Sequence, residues 1–241
     1  MKFYDELSRV YDIVFPENRA ATEFLAKGLV QGQLILDLAS GTGIYSNALA
    51  KKGYKVVGID LDEEMVKKAK EKYTDGSVTF IAGNMLDIDV LCDTYQFHMV
   101  FCIGNSLVHL PDRDSVRVLV KKVHGLLIEN GAFIVQTVNF DRIVKYNLDS
   151  LPPIQRDDEK VKLIRKYGFE NNTGYVSFNT ELSVGGKITT NSVRLLALRS
   201  EELIRILETA GFSGIRLYGA YDESDYTDES PAAIVKAVKK S

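Results

Sequence analysis

Asp37, Asp60, Asn84, Asn105 and Asn139 share one context: each ends, or closely follows, a short apolar run. A carboxylate such as Asp60 accepts hydrogen bonds from both hydroxyls of a ribose; its other reading is a helix-capping or surface aspartate. An amide such as Asn84 pairs with the edge of a base while Leu61 and Met85 pack on the faces; the alternative is a plain turn residue. Asp37 opens the stretch Asp37-Leu38-Ala39-Ser40-Gly41-Thr42-Gly43. A Gly-x-Gly turn brings backbone N–H groups against a ligand because no side chain blocks the approach. His109 has the chemistry to orient a neighbouring group or take a proton; the opposing reading is a histidine that hydrogen-bonds within its own loop. The acidic stretch 222–229 reads as a solvated loop, so no metal is expected.

These residues need elements to position them. Residues 34–38 are an apolar run of the kind buried on both faces of a sheet, and helix resumes from 43 to 52. Residues 55–60 form a second strand, and Asp62 caps a helix with Met65, Val66, Ala69 and Tyr73 on one face. Strands at 78–82, 97–103 and 131–138 follow. Asp112 opens the helix between the last two, with Val116, Leu119, Val120, Val123 and Leu127 as its stripe. This alternation predicts a parallel, doubly wound α/β sheet, and in such sheets ligands bind beyond the carboxyl ends of the strands. Upstream, Tyr4, Leu7, Val10, Tyr11 and Val14 mark a helix across the mouth of the sheet. A second helix spans 18–29, capped by Asn18.

The pattern changes after Asn139. Val161, Leu163, Tyr167 and Phe169 suggest one strand; Val176, Phe178, Thr180, Leu182 and Val184 alternate as another. Gly185-Gly186 turns that strand into 187–198. Residues 139–199 therefore read as an inserted antiparallel β unit, either a lid over the acceptor or a dimerisation element. Residues 1–138 and 200–241 form the main domain. Ser200 is expected to cap a helix that Gly211 ends, before strands at 212–218 and 232–238.

The 241 residues are 45% hydrophobic and 26% charged, with a formal net charge of −3. No basic field exists to hold a nucleic acid backbone. Residues 1–14 carry Asp5, Glu6 and Asp12 and form no signal peptide, no long apolar span occurs, and Cys92 and Cys102 are the only cysteines. A cytoplasmic location with both thiols reduced is expected, and Asn171-Asn172-Thr173 reads as a turn.

Asp37-x-x-x-Gly41-x-Gly43 resembles motif I of the class I S-adenosylmethionine-dependent methyltransferases. The run Phe101-Cys102-Ile103-Gly104-Asn105-Ser106-Leu107-Val108-His109-Leu110-Pro111-Asp112 resembles the strand-four signature of glycine and sarcosine N-methyltransferases, and Asn84 matches that group too. The resemblance implies a Rossmann-like, seven-stranded, mostly parallel sheet with helices on both faces and an antiparallel strand between the fifth and sixth. It implies S-adenosylmethionine held among Asp37, Ala39, Gly41, Gly43, Asp60, Leu61, Asn84, Met85 and Cys102. Arg19 either reaches the cofactor's carboxylate or is a surface arginine. Tyr4 and Tyr11 either close over the cofactor or pack. Asn105 would hold a small acceptor, with an amine nitrogen as the methylated atom.

A Rossmann-type oxidoreductase is the weaker alternative, because Ser46 stands where its fingerprint has glycine. A non-catalytic binder of the cofactor or its product is another. Nucleic acid methylation is disfavoured because Asn105 is followed by Ser106, with no Asn/Asp-Pro-Pro-aromatic motif. Where the resembled family has an arginine for the acceptor's carboxylate, this chain has Val138, with Arg142 one turn on. Glycine is therefore expected to be a poor acceptor, and the true one to lack a carboxylate at that position.

Overall fold

The computed structural model describes residues 2–74, 76–170 and 173–240, with side chains from residue 6 onward. The expected face of Tyr4 and the turn at Asn171-Asn172 lie outside them. The chain runs α1 (Lys2–Val14), α2 (Arg19–Ala26), β1 (Leu34–Leu38), α3 (Ile44–Lys51), β2 (Lys55–Asp60), α4 (Glu63–Lys72) and β3 (Val78–Ala82). There follow α5 (Ile88–Leu91), β4 (Phe97–Cys102), α6 (Arg113–Leu126), β5 (Leu127–Val138) and α7 (Phe140–Lys145). Strands β6 (Ser150–Arg156), β7 (Val161–Glu170), β8 (Tyr175–Val184) and β9 (Lys187–Leu196) precede α8 (Ser200–Thr209), β10 (Phe212–Tyr218) and β11 (Ala232–Lys239).

Seven strands form one sheet in the order β10-β11-β5-β4-β1-β2-β3. β1 to β5 run parallel, and β11 lies antiparallel between β5 and β10. Alternation along the strands sends side chains to two cores. Leu36, Leu38, Val100 and Cys102 pack with the stripe of α6 and with Leu203, Ile206 and Leu207 of α8. Ile35, Met99 and Phe101 pack on the other face with Phe24, Leu25 and Leu49 of α2 and α3. Each fully buried aliphatic or aromatic side chain contributes about 1.5–3 kcal/mol. The apolar runs of the central strands thus follow from burial on both faces.

β6, β7, β8 and β9 form a second, antiparallel sheet. It has one strand more than the residue pattern suggests. The extra strand, β6, carries Pro152 and Pro153 and sits at the edge, where missing N–H donors are tolerated. Leu7, Val10 and Val14 of α1 pack against Val161, Leu163 and Leu182 of this sheet, while the ring of Tyr11 lies over Gly41. α1 therefore bridges the two sheets. β5 also begins earlier than expected, at Leu127, because its register with β4 shifts between Phe97 and Met99 and the chain turns through Asn130 at φ 63°.

Asn18, Asp62 and Asp112 cap their helices as expected, each accepting backbone N–H bonds. The capping of α8 departs from expectation. Ser200 is its first helical residue, and Asp141 does the capping, accepting from Ser200 N at 3.0 Å and from Arg199 Nε at 2.6 Å. The Tyr226 hydroxyl lies 2.8 Å from the same carboxylate. Burial pushes the Asp141 pKa up, but the bonds from Ser200, Arg199 and Tyr226 outweigh it and hold the group at about 2.

Replacing Asp141 with alanine is expected to cost about 2 kcal/mol at pH 7. This sums a helix cap of ~0.5 kcal/mol and a charged hydrogen bond of ~1.5 kcal/mol, with little added for the exposed Arg199. A folded-state pKa below the ordinary ~3.9 gives stability that is full above about pH 4 and lost as pH falls towards 2. Thermal melts should show a drop of roughly 4–8 °C at neutral pH, narrowing towards pH 2. Equal melting temperatures at pH 7 would remove this role.

Candidate active site

The carboxyl ends of β1 and β2 are tied together by hydrogen bonds. Gly41 N donates to Asp60 Oδ2 at 2.7 Å, Ser40 N to the Ile59 carbonyl at 2.9 Å, and Asp62 N to Asp60 Oδ1 at 2.9 Å. The turn passes through left-handed backbone at Ala39 (φ 61°), Gly41 (φ 55°) and Gly43 (φ 79°). Burial raises the Asp60 pKa, against the N–H bonds from Asp62 and Gly41. With three backbone N–H groups, of Asp62, Gly41 and Leu61, acting on it, the carboxylate still has lone-pair capacity for a further donor.

Behind this turn, Asp37 is 3% exposed and accepts a hydrogen bond from Ser46 Oγ at 2.6 Å. Burial pushes its pKa up to about 7, opposed by Ser46 and reinforced by the charge of Asp60. Along β3 and β4 the same edge continues. Asn84 Oδ1 accepts from Leu86 N at 2.9 Å, making a turn that projects Met85. Gly104 N donates to Gln136 Oε1 at 2.8 Å, and Asn105 Oδ1 accepts from Val138 N at 2.9 Å. Asn105 is therefore locked to the end of β5 in left-handed backbone, φ 70°. Its oxygen is engaged, which leaves the NH₂ group to address a ligand.

A cavity of about 740 Å³ lies over this edge, within the range of small-molecule clefts. Its floor includes Ala39, Gly41, Asp60, Asn84, Asn105 and His109, and its roof is the second sheet. The cross-strand row Arg165–Thr180–Asn191 and the adjacent row Tyr167–Phe178–Val193 both face it. His109 is open to the cavity, yet the protein around it lowers its pKa by desolvation, so the imidazole is neutral at pH 7. A groove of about 790 Å³ beside α2 is different. Its charges already pair with one another, Lys27 with Glu223 at 2.5 Å and Lys52 with Glu23 at 2.7 Å.

Residues 35–131 match the methyltransferase domain family. The glycine/sarcosine N-methyltransferase of Aphanothece halophytica is 27% identical, over 90% of this chain and 81% of its own. An S-adenosylmethionine-dependent methyltransferase from Clostridium acetobutylicum ATCC 824 superposes with TM-score 0.81 at 19% identity, covering 99% of both chains. The CcbJ methyltransferase of Streptomyces caelestis gives 0.83 at 22%, covering 98% of this chain and 96% of its own. Together these likenesses support a class I S-adenosylmethionine-dependent methyltransferase.

The floor of the methyltransferase cleft fits its cofactor. Asp60 offers carboxylate lone pairs, Leu61, Met65 and Met85 offer apolar surface, and Gly41 leaves the wall bare. The structure brings Ala39, Gly41, Asp60, Leu61, Asn84, Met85, Asn105 and His109 together on one cavity. It places five expected residues elsewhere. Asp37 is buried behind the turn and pins α3 to β1. Cys102 is wholly buried in the core, its thiol pushed up to about 12 by burial. Arg19 is exposed at the start of α2, away from the cavity lining. Gly43 faces protein: a Cβ there would sit 2.5 Å from the Phe80 ring. Asn139, expected at the ligand edge, is 1% exposed and caps α7 while donating to the carbonyls of Ser230 and Thr227.

Arg165 and Tyr167 of the roof are the residues that the reading of the sequence missed. A signal existed. Val161, Leu163, Tyr167 and Phe169 share the inward alternation of β7, and Arg165 is the one charged residue on that face.

Proposed function

We propose that this methyltransferase methylates an amine nitrogen of a small molecule, held between the main sheet and the inserted sheet. The observation that carries the proposal is the single cavity that joins the Asp60–Asn84 wall to Asn105, His109 and the roof. When bound, S-adenosylmethionine supplies a methyl carbon whose bond to sulfur breaks as its bond to the acceptor nitrogen forms, the electron pair leaving with sulfur. Asp60 would accept the ribose hydroxyls, and Asn84, Met85 and Leu61 would surround the base. Asn105, fixed by its bond to Val138 N, would hold the acceptor, since orientation alone supplies much of the rate in such a displacement.

An amine attacks only with its lone pair free, so a proton must leave it. The neutral imidazole of His109 is the form that takes one. The insert, 139–199, acts in this proposal as the acceptor lid on the main domain, 1–138 with 200–241, and not as a dimerisation element; the inward face of β7, β8 and β9 on the cavity supports that role. A cytoplasmic location belongs to the proposal. Cys92 and Cys102 are both unpaired, and no helix among the described residues is long and apolar enough to cross a membrane.

The test is mass-spectrometric detection of methyl transfer from labelled S-adenosylmethionine to a panel of small amines, alcohols and thiols. Product methylated on nitrogen is expected. Methylation confined to oxygen or sulfur acceptors would overturn the assignment of nitrogen. Cofactor binding without turnover of any acceptor would favour a non-catalytic binder.

A further inference from the structure

Two polar groups in the roof of the cleft are buried without partners. Arg165 Nε and the Tyr167 hydroxyl have no hydrogen bond, and Tyr167 is only 5% exposed. They stand two residues apart on β7, on the face that lines the cavity. Arg165 is not idle as a whole. Its Nη2 donates to the Pro152 carbonyl of β6 at 2.7 Å, which fixes the plane of the guanidinium. No carboxylate pairs with it among the described residues.

A buried donor left unpaired costs far more than a hydrogen bond returns, and a partly buried charge without a counter-charge costs more still. Desolvation accordingly lowers the Arg165 pKa, and burial pushes the Tyr167 phenol up to about 12, so the tyrosine keeps its proton and donates. Such an arrangement costs stability until something supplies the missing acceptor. An anion answers both needs, because the guanidinium lacks a counter-charge among the described residues as well as an acceptor for its Nε. A single negative charge suffices, since Arg165 carries the only guanidinium or ammonium among the described residues lining the cavity.

We propose that Arg165 and Tyr167 form a carboxylate-binding subsite in the roof of the cleft, so that the methyl acceptor is an amine that also bears a carboxylate. The proposal rests on the reading of the cleft as an amine methylation site and deepens it by naming the substrate class. Val138 lines the same cavity with no side-chain donor, and Arg142 is not among the lining residues. The anion is therefore gripped from the inserted sheet and not from the end of β5. Thr180, beside Arg165 in the register of β8, lines the same patch.

The experiment compares glycine, β-alanine and γ-aminobutyrate with their amides and with the matching aminophosphonates. Binding is read by calorimetry in the presence of S-adenosylhomocysteine, and turnover by methyl transfer. In the wild type, at least one amino acid should bind and react on the order of tenfold or more better than its amide, the worth of a hydrogen bond to a charged group. Arg165→Met should abolish that preference by weakening the acid ~10- to 100-fold with the amide unchanged. Tyr167→Phe should weaken the acid in the same sense. Arg165→Lys, which keeps the charge without the fork, should retain part of the preference.

Phosphonates preferred over carboxylates would overturn the carboxylate in favour of a phosphate-bearing acceptor. Amides equal to acids in the wild type, no binding of any probe, or an Arg165→Met variant that slows acids and amides alike would also overturn it. Affinity for S-adenosylhomocysteine should stay unchanged in all three variants, which separates loss of the subsite from loss of the fold. A wild type that binds no S-adenosylhomocysteine would fail the cofactor site, and one that binds the acids but methylates none would fail the amine methylation reading alone.

Discussion

Asp60→Ala is expected to weaken S-adenosylmethionine and S-adenosylhomocysteine by about tenfold to a hundredfold or more, with NAD a poor competitor in the wild type. Each hydrogen bond to a charged group contributes ~1.5–3 kcal/mol, and ~1.4 kcal/mol is a factor of ten in affinity. The loss has two sources in this structure. The carboxylate is the acceptor on the cavity wall, and it also holds Gly41 N at 2.7 Å and Asp62 N at 2.9 Å. Asp60→Asn separates them in part: its one carboxamide oxygen can keep one of the two backbone bonds, to Gly41 N or to Asp62 N, and the second acceptor is gone. Its affinity should fall between wild type and Asp60→Ala.

The pH dependence follows the same group. Burial raises the Asp60 pKa, so the acceptor form is lost on acidification from a higher pH than the ordinary ~3.9 would give. Affinity for S-adenosylhomocysteine should therefore decline on the acid side in wild type and be flatter in Asp60→Asn. Calorimetry finding the same dissociation constant in wild type and Asp60→Ala would sink the placement of the cofactor.

Much of this architecture is legible in the chain because local and global demands agree. The apolar runs at β1 and β2 match burial on both faces of a parallel sheet, and Asn18, Asp62 and Asp112 cap helices in the way their side chains allow. What escaped is set by partners distant in sequence. Asp141 caps α8 across 59 residues, which no local pattern at Ser200 reveals. β6 hides because an edge strand with two prolines lacks the usual composition. Arg165 and Tyr167 become site residues only once the second sheet folds over the first. Asp37 carries the reverse lesson: a carboxylate in a ligand motif serves the fold, through Ser46.

The glycine turn divides in the same way, and substitution should expose the division. At Gly43 a Cβ would stand 2.5 and 2.7 Å from ring carbons of Phe80 and 3.3 Å from Ala69 Cβ, in left-handed backbone at φ 79°. Phe80 is 5% exposed and packed in the core under α4, so the ring has little room to retreat. Backbone strain of ~1–2 kcal/mol and overpacking of ~1–3 kcal/mol add to about 3 kcal/mol, or roughly 10 °C in melting temperature.

Gly41 is otherwise. Its Cβ would meet the Tyr11 ring at 3.5 Å, an ordinary contact, so only the strain of φ 55° is expected, about 1 kcal/mol. Because Gly41 lines the cavity, Gly41→Ala should instead weaken cofactor binding, while Gly43→Ala that remains folded should bind nearly as well as wild type. Phe80→Leu, which removes the clashing ring edge, should make the double variant Gly43→Ala/Phe80→Leu more stable than the sum of the single losses. Additive losses would show that the cost at Gly43 is backbone strain alone and not the ring.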